Sequence, residues 1–360
     1  MRRGKLFWGT VVLTVGLVSC GGAKSVYLHT GERDPITVTP KSRAQVRLSE
    51  GEYKQALGWL GHDVYAGSSS LQAAHDVFDA PSIEVTIQEV EQTYQVELIA
   101  AYRRWCERKG TPGDCLKLLG RGTWLTGEAK QTLAMAFAMD SVCPETADAL
   151  RGMVDPMAVQ AMILTSMTVY LGLLVLPEPT SKIVAAHLTA ALIAYLGVDT
   201  VWELIQGWRE LHKLARNAYS FDEIRGVGQR FGGIVGRNAA RVFVMLTTAA
   251  IGSTIGLAGK LPSLPGSGQA AMVAANQAGF ELSAVGSVTS VTVAADGAIS
   301  IALPAGAVAM AGNTQGTTRT SSTSAGMRNR SCRSCWSRYT SSCIAKFTSS
   351  RMAGWHRSRT

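Results

Sequence analysis

The feature that most constrains this chain is a run of twenty residues without a charged side chain, at 157–176. A second charge-free run, of sixteen residues, follows at 183–198. A helix that is apolar on every side must be buried in a core or surrounded by lipid, and twenty residues is also the length of a membrane span. The two runs therefore predict a central apolar helical hairpin. Burial in a soluble bundle and insertion of 157–198 into a bilayer both fit this pattern.

Helical periodicity and capping residues extend the prediction to a helical domain over 51–260. Ser49 is placed to cap a helix at about 50–62, and Thr126 a helix that ends near 140. Further helices are predicted at 88–108, at 200–217, which is amphipathic, and at 232–259, which is apolar and rich in glycine and alanine. The chain is therefore predicted to be mainly α, a helical bundle around the apolar hairpin.

Past residue 260 the pattern changes from helical to alternating. Proline and glycine at 262–266 predict a hinge, and 261–310 is predicted to be a small separate module that contains a β-hairpin. A three-residue loop ending at Gly297 puts the four apolar side chains of the hairpin on one face, whereas a two-residue loop would split them. The predicted register pairs Val293 with Ile299 and Val291 with Ile301.

The last fifty residues, 311–360, contain eight Arg, one Lys and nineteen Ser or Thr, and neither Asp nor Glu. This tail accounts for the whole net charge of +9, because 1–310 contains 26 basic and 26 acidic residues. The neutral body gives no electrostatic reason to expect nucleic acid as its partner. The tail has too few apolar residues to offset the entropy of ordering, which predicts disorder. The abrupt change in composition also fits a frame-disrupted segment.

The N-terminus has the order of a secretory signal peptide. Basic residues at 2–5 precede an apolar stretch at 6–18 that is too short to span a membrane. The segment ends in Leu-Val-Ser-Cys at 17–20, which resembles the bacterial lipobox. That resemblance implies removal of 1–19, two or more acyl chains on Cys20, and anchoring at the periplasmic face of the outer membrane. Residues 20–50 are then predicted to be a tether with a strand or two at its end.

The cysteines suggest one structural link and no metal site. Cys106 and Cys115 flank a Gly/Pro turn and are placed either to form a disulfide in an oxidising periplasm or to be two buried thiols. Cys143 would then have no partner. A zinc spacing at 332–356 lacks an apolar scaffold, which favours a chance occurrence. The covalent lipid on Cys20 is the one bound group predicted.

The remaining candidates for chemistry have simpler interpretations. His62 and His75 are each followed by an aspartate, but adjacent residues on a helix face different directions, so neither pair is predicted to be catalytic. His187 lies in an apolar run and is predicted to be a core histidine. The glycine series at 226–236 follows no strand and precedes no Walker lysine, which favours close helix packing over phosphate binding. No catalytic, cofactor-binding or metal-ligating residue is predicted.

Several segments, in this order, resemble the SitA-type lipoprotein toxins of myxobacteria: the lipobox, RWCERKGTPGDCL at 104–116, PEPTSKIVAAHLTAALIAYLGVDTVWELI at 177–205, GQRFGGIVGRNAARVFVML at 228–246, and LPSLPG at 261–266 with the closing hairpin at 288–310. The resemblance covers about 20–310. It implies a polymorphic-toxin carrier that passes between sibling cells by outer-membrane exchange and kills recipients that lack a cognate immunity protein. Where that family has its toxin domain, often a nuclease, this chain has the tail, which suggests that the cargo is lost or frameshifted.

Two other functions fit the residues. The apolar helices themselves could form a pore, in which case leakage would map to 150–260 and survive deletion of the tail. A structural outer-membrane lipoprotein without a toxic role is the third hypothesis, and it predicts that killing of siblings never depends on the gene.

Overall fold

The computed structural model describes residues 24–32, 34–40, 43–64, 70–80, 92–119, 124–175, 183–252, 256–294 and 296–309. Cys20, the predicted signal peptide and the tail lie outside these residues. All the described residues belong to one compact unit. They are mainly helical with one small sheet, which confirms the predicted fold class.

Eleven α-helices lie within the described residues: α1 (Glu50–Gly61), α2 (Ser70–Phe78), α3 (Gln92–Arg108), α4 (Gly127–Ala138), α5 (Cys143–Ala149), α6 (Pro156–Val175), α7 (Ile183–Leu196), α8 (Val198–Arg216), α9 (Phe221–Ile251), α10 (Gly256–Lys260) and α11 (Ser267–Val273). Four short strands form one sheet: β1 (Val26–His29), β2 (Ile36–Val38), β3 (Ser290–Val293) and β4 (Ile299–Ala302).

Side-chain caps fix where several helices begin. Ser49 accepts a hydrogen bond from the Glu52 amide and the Glu52 carboxylate accepts one from Ser49, so α1 begins with a capping box. Thr126 caps α4 as predicted. A second capping box, formed by Ser220 and Glu223, starts α9 eleven residues before the predicted position of 232. The prediction of 232–259 was wrong at both ends, since α9 ends at Ile251. The helix is also kinked at Gly236, whose φ is 69°.

The two charge-free segments form helices in the core. The hydroxyl groups of Tyr170 on α6 and Thr189 on α7 are 2.9 Å apart and hydrogen-bonded. The Tyr170 ring also packs edge-on against Phe243 of α9, with 5.8 Å between the ring centroids. Gly197, with a φ of 81°, ends α7 and lets α8 leave in a new direction. The predicted apolar helices are therefore confirmed as helices, and they pack together with α9.

Helices α4 and α9 approach each other closely because two glycines of α9 face α4. A Cβ atom added at Gly232 would lie 2.6 Å from the Ala138 carbonyl oxygen, and one added at Gly228 would clash with the Ala134 carbonyl. Residues 228 and 232 are four apart and so lie on one face of the helix. Two members of the glycine series, Gly228 and Gly232, thus serve close helix packing as the sequence predicts, whereas a Cβ atom at Gly233 or Gly236 would meet nothing within 4 Å.

The β-hairpin has the predicted register. Val293 lies opposite Ile299 and Val291 opposite Ile301 in the antiparallel pair of β3 and β4. The loop closes through hydrogen bonds between Ala294 and its neighbours, with Gly297 at a φ of 95°.

The sheet joins segments that the sequence analysis separated. Strand β1 pairs antiparallel with β2 and parallel with β4 of the hairpin. Val26 and Leu28 of β1 are fully buried and belong to the same hydrophobic core as the helices and the hairpin. The structure therefore differs from a tether at 20–50 and from a separate module at 261–310. A strand this short has no stability alone, so it forms only by adding to the hairpin.

Substitution of alanine for two adjacent glycines tests the packing of α4 against α9. Gly232→Ala should lower the free energy of unfolding by about 1–3 kcal/mol, because the added methyl group overpacks the contact with Ala138. Gly233→Ala is the matched control, since a Cβ atom there meets nothing within 4 Å. It should raise the free energy of unfolding by up to about 1 kcal/mol through helix propensity. Urea unfolding of both variants measures the difference, and equal effects would contradict the assignment.

Candidate membrane-anchor site

The folded body begins almost directly after the predicted lipidation residue. Cys20 itself lies outside the described residues, and only 21–23 separate it from Lys24, the first described residue. An extended chain spans at most about 3.6 Å per residue, so the Cα atoms of Cys20 and Lys24 lie within roughly 14 Å of each other. The Ser25 carbonyl already accepts a hydrogen bond from the Ile299 amide of β4, at 3.0 Å. Only this short segment, 21–23, which we call the leash, separates the predicted lipidation residue from the described body.

A tryptophan lies beside the start of the body. The Lys24 ammonium group is 5.4 Å from the centroid of the Trp202 ring, and the Arg209 guanidinium is 5.7 Å from it. The β3–β4 turn packs against the same ring, since a Cβ atom at Gly297 would lie 3.3 Å from it. Trp202 is half-buried in this arrangement.

Asp199 links the start of the body to the segment that follows β2. Its carboxylate is 3.9 Å from the Lys24 ammonium group and 3.3 Å from the Arg43 guanidinium. The Arg43 side chain is 83% exposed, so this second ion pair is screened by water and contributes little to stability.

Residues 43–48, which we call the strap, lie in a groove of the helical body without forming a helix or strand. The Val46 amide donates to the Tyr195 carbonyl at the end of α7, at 2.7 Å. The side chain of Gln277 donates to the Ala44 carbonyl at 2.6 Å. The Val46 side chain is fully buried. The strap is therefore bound through its backbone, much as a protein binds an extended peptide.

Helix α9 provides the other contacts of the strap. The Asn238 side chain donates to the Val46 carbonyl (2.8 Å) and accepts from the Leu48 amide (3.0 Å). Arg241 donates to the Leu48 carbonyl at 3.0 Å and makes a two-pronged ion pair with Glu145 of α5, at 2.7 and 2.8 Å. The hydrogen bonds from Arg241 hold the pKa of Glu145 below its ordinary value. Side chains of the helical body thus hold the strap, which follows β2.

The predicted cysteine pair is present. Cys106 and Cys115 form a disulfide that joins the end of α3 to the following loop. Cys143 is free, and burial raises the pKa of its thiol to about 12. A thiol held in its protonated form is a poor nucleophile.

The structure separates the histidines from the aspartates beside them. Asp63 pairs with the buried Lys260 at 2.8 Å. His75 is buried, and its Nε2 lies 2.9 Å from the carboxylate of Glu128, which is 53 positions away in sequence. The hydrogen bond with Glu128 raises the pKa of His75. Sequence reasoning could not find this partner because it depends on the packing of α2 against the start of α4.

His187 is half-buried, as expected of a core histidine, and hydrogen-bonds with the backbone of Gly286 and Val288. Burial lowers the pKa of His187. Within the described part of the chain, no three metal-ligating side chains lie together.

A surface groove of about 340 Å³ lies between α3 and the start of α9. Arg104, Arg108 and Arg225 line it, and guanidinium groups suit carboxylates or phosphates. Glu97 and Asp222 line the same groove and offset part of this charge. The groove therefore favours no single class of ligand.

Two described helices, α6 and α9, are long and apolar enough to cross a membrane. In the structure, 83% of the α6 span and 61% of the α9 span are buried inside the protein. A core helix of a soluble protein has the same length and composition. Contact of α6 with lipid would require the helices around it to move away, so bilayer insertion of 157–198 stays a prediction.

No family model, curated protein or solved structure matches the chain. The likeness to lipoprotein toxins therefore rests on the segments quoted from the sequence.

Substitution of Asn238 tests how the strap is held. Asn238→Ala leaves an amide and a carbonyl of the strap without partners, and each buried unpaired group costs roughly 1–3 kcal/mol. We expect a lower free energy of unfolding and faster tryptic cleavage after Arg47. Asn217→Ala is the control, because Asn217 makes only an exposed hydrogen bond at the end of α8. Unchanged cleavage after Arg47 in Asn238→Ala would contradict the assignment.

The pair of His75 and Glu128 predicts a pH dependence of stability. Because the pKa of His75 is raised in the folded protein, its contribution is fully present below the unfolded pKa and is lost as the pH rises through the folded pKa. Wild type should therefore exceed His75→Gln in unfolding free energy by more at pH 6 than at pH 8.5. His62→Gln, at an exposed histidine, is the control for the loss of a histidine without the Glu128 pair. A larger difference at pH 8.5 would refute this pairing.

Proposed function

We propose that this chain is a lipid-anchored carrier of the polymorphic-toxin kind, attached to the periplasmic face of the outer membrane through acylated Cys20. The observation that carries the proposal is the lipobox that ends at Cys20. Only residues 21–23 separate Cys20 from the described body. Two or more acyl chains on one residue give stable anchoring, whereas a single chain binds a membrane only reversibly.

The described body supports a carrier better than an enzyme. Side chains of the body hold the strap, and most of the sequence segments that resemble the lipoprotein toxins lie in this body. A carrier that changes membranes by outer-membrane exchange needs a stable attachment and a compact fold. Acylation of Cys20 would give the stable attachment. The hydrogen bonds that hold the strap on the helical body support the compact fold.

The cargo and its partners follow from the resemblance alone. An intact member of the family would have a toxin domain where this chain has 311–360, and a cognate immunity protein would be its specific partner. In this proposal the chain itself delivers and does not catalyse.

The experiment compares two cysteine variants in a bacterium that exchanges outer membranes. Donor cells express the tagged chain, and the recipients are assayed for tagged protein in their membrane fraction. Wild type should transfer, and Cys20→Ser should remain in the donor as a soluble periplasmic protein. Cys143→Ser is the matched control, because it removes another free cysteine without affecting the lipobox. Transfer of Cys20→Ser at the wild-type level would overturn the proposal.

A further inference from the structure

We infer that the body lies on the bilayer in one orientation, with Trp202 at the level of the lipid headgroups. The surface that makes this contact, which we call the anchor-proximal surface, consists of Lys24, Arg43, Trp202, Arg209 and the β3–β4 turn at Gly297. This inference rests on the proposed lipidation of Cys20 and names the surface that the anchor brings against the membrane.

The length of the leash decides which surface can reach the lipid. Acyl chains in the bilayer place Cys20 at the membrane surface, and Lys24 lies within roughly 14 Å of it. A folded chain the size of 20–309 has a radius of gyration of roughly 19 Å. The leash is therefore shorter than the radius of the body, and the far side of the body cannot contact the bilayer.

The start of the body cannot unwind to lengthen the leash. Strand β1 is hydrogen-bonded on both sides, to β2 and to β4. Its side chains at Val26 and Leu28 are fully buried. Releasing the first residues of β1 would break the central pairing of the sheet and expose core side chains.

The chemistry of the surface fits a headgroup layer. Tryptophan prefers the membrane interface because its ring is apolar and its N–H is polar. The Lys24 ammonium group lies 5.4 Å from the centroid of the Trp202 ring, and the Arg209 guanidinium lies 5.7 Å from it. Cations of this kind bind lipid phosphates. The Arg209 guanidinium lies beside the Trp202 ring, and a guanidinium suits a lipid phosphate because it has several N–H donors in one plane.

Acidic groups near the anchor-proximal surface limit its electrostatic attraction to the membrane. Asp199 forms ion pairs with Lys24 and Arg43. Two acidic residues, Glu203 and Asp296, are adjacent in sequence to Trp202 and Gly297. The nearly balanced charge means that long-range attraction to the membrane is weak. The acyl anchor brings the surface to the bilayer, and the tryptophan and Arg209 then set its orientation.

Tryptophan fluorescence in vesicles tests this orientation. The acylated full chain is reconstituted into vesicles of phosphatidylethanolamine and phosphatidylglycerol, with and without bromine on the acyl chains as a quencher. Trp202→Phe should lose a component of the quenching that wild type shows. Trp59→Phe is the matched control, since Trp59 is 48% exposed on α1 and is not part of the anchor-proximal surface. Brominated lipid should remove the same amount of fluorescence from Trp59→Phe as from wild type, because Trp59 does not contribute to the quenching.

A charge-reversal pair gives an independent readout. Arg209→Glu should reduce the Trp202 component of quenching, whereas Arg104→Glu, at an exposed position on α3, should not. Circular dichroism confirms that each variant is folded. Vesicle-bound protein with equal quenching in wild type and Trp202→Phe would overturn the orientation while leaving the anchor intact. Protein without acyl chains on Cys20 that binds vesicles as strongly as the acylated chain would instead overturn the proposed function.

Discussion

The hydrogen bonds between the strap and the helical body are the interaction on which the rest of the structure depends. Asn238, Arg241 and Gln277 bind the backbone of residues 43–48, and the Tyr195 carbonyl accepts from Val46. These contacts connect positions about 150 to 230 apart in sequence. They bring β1 to the hairpin and α1 to α9, so that the N-terminal segment, the bundle and the sheet share one core.

Local signals in the sequence predicted local structure well. Ser49, Thr126 and the alternating residues around Gly297 determine their own helix starts and hairpin register, because the groups that interact are within a few positions of each other. Long-range pairings could not be predicted in this way. The strap shows only a short alternation at 46–48, where Val46 and Leu48 are buried and Arg47 is exposed. Its partners are single side chains on α9 and after α11, and nothing at 43–48 identifies them.

The same distinction between local signals and long-range contacts applies to the candidate site. The lipobox is a contiguous motif, so Cys20 could be proposed from sequence, and the spacing of Cys106 and Cys115 indicated the disulfide. The cluster around Trp202 combines residues of the N-terminal segment, α8 and the hairpin turn. It could be recognised only after the fold had shown that the segment predicted as a tether is part of the body. Much of the segment that was predicted as a tether is therefore strand and strap, packed on the body.

The mass of the mature N-terminal peptide is the most direct test of the central claim, that the body is anchored through Cys20. Protein purified from membranes, digested with trypsin and analysed by mass spectrometry should give an N-terminal peptide that begins at Cys20 and has the added mass of a diacylglycerol group and an acyl chain. An N-terminus at any other residue, or an unmodified Cys20, would contradict the account.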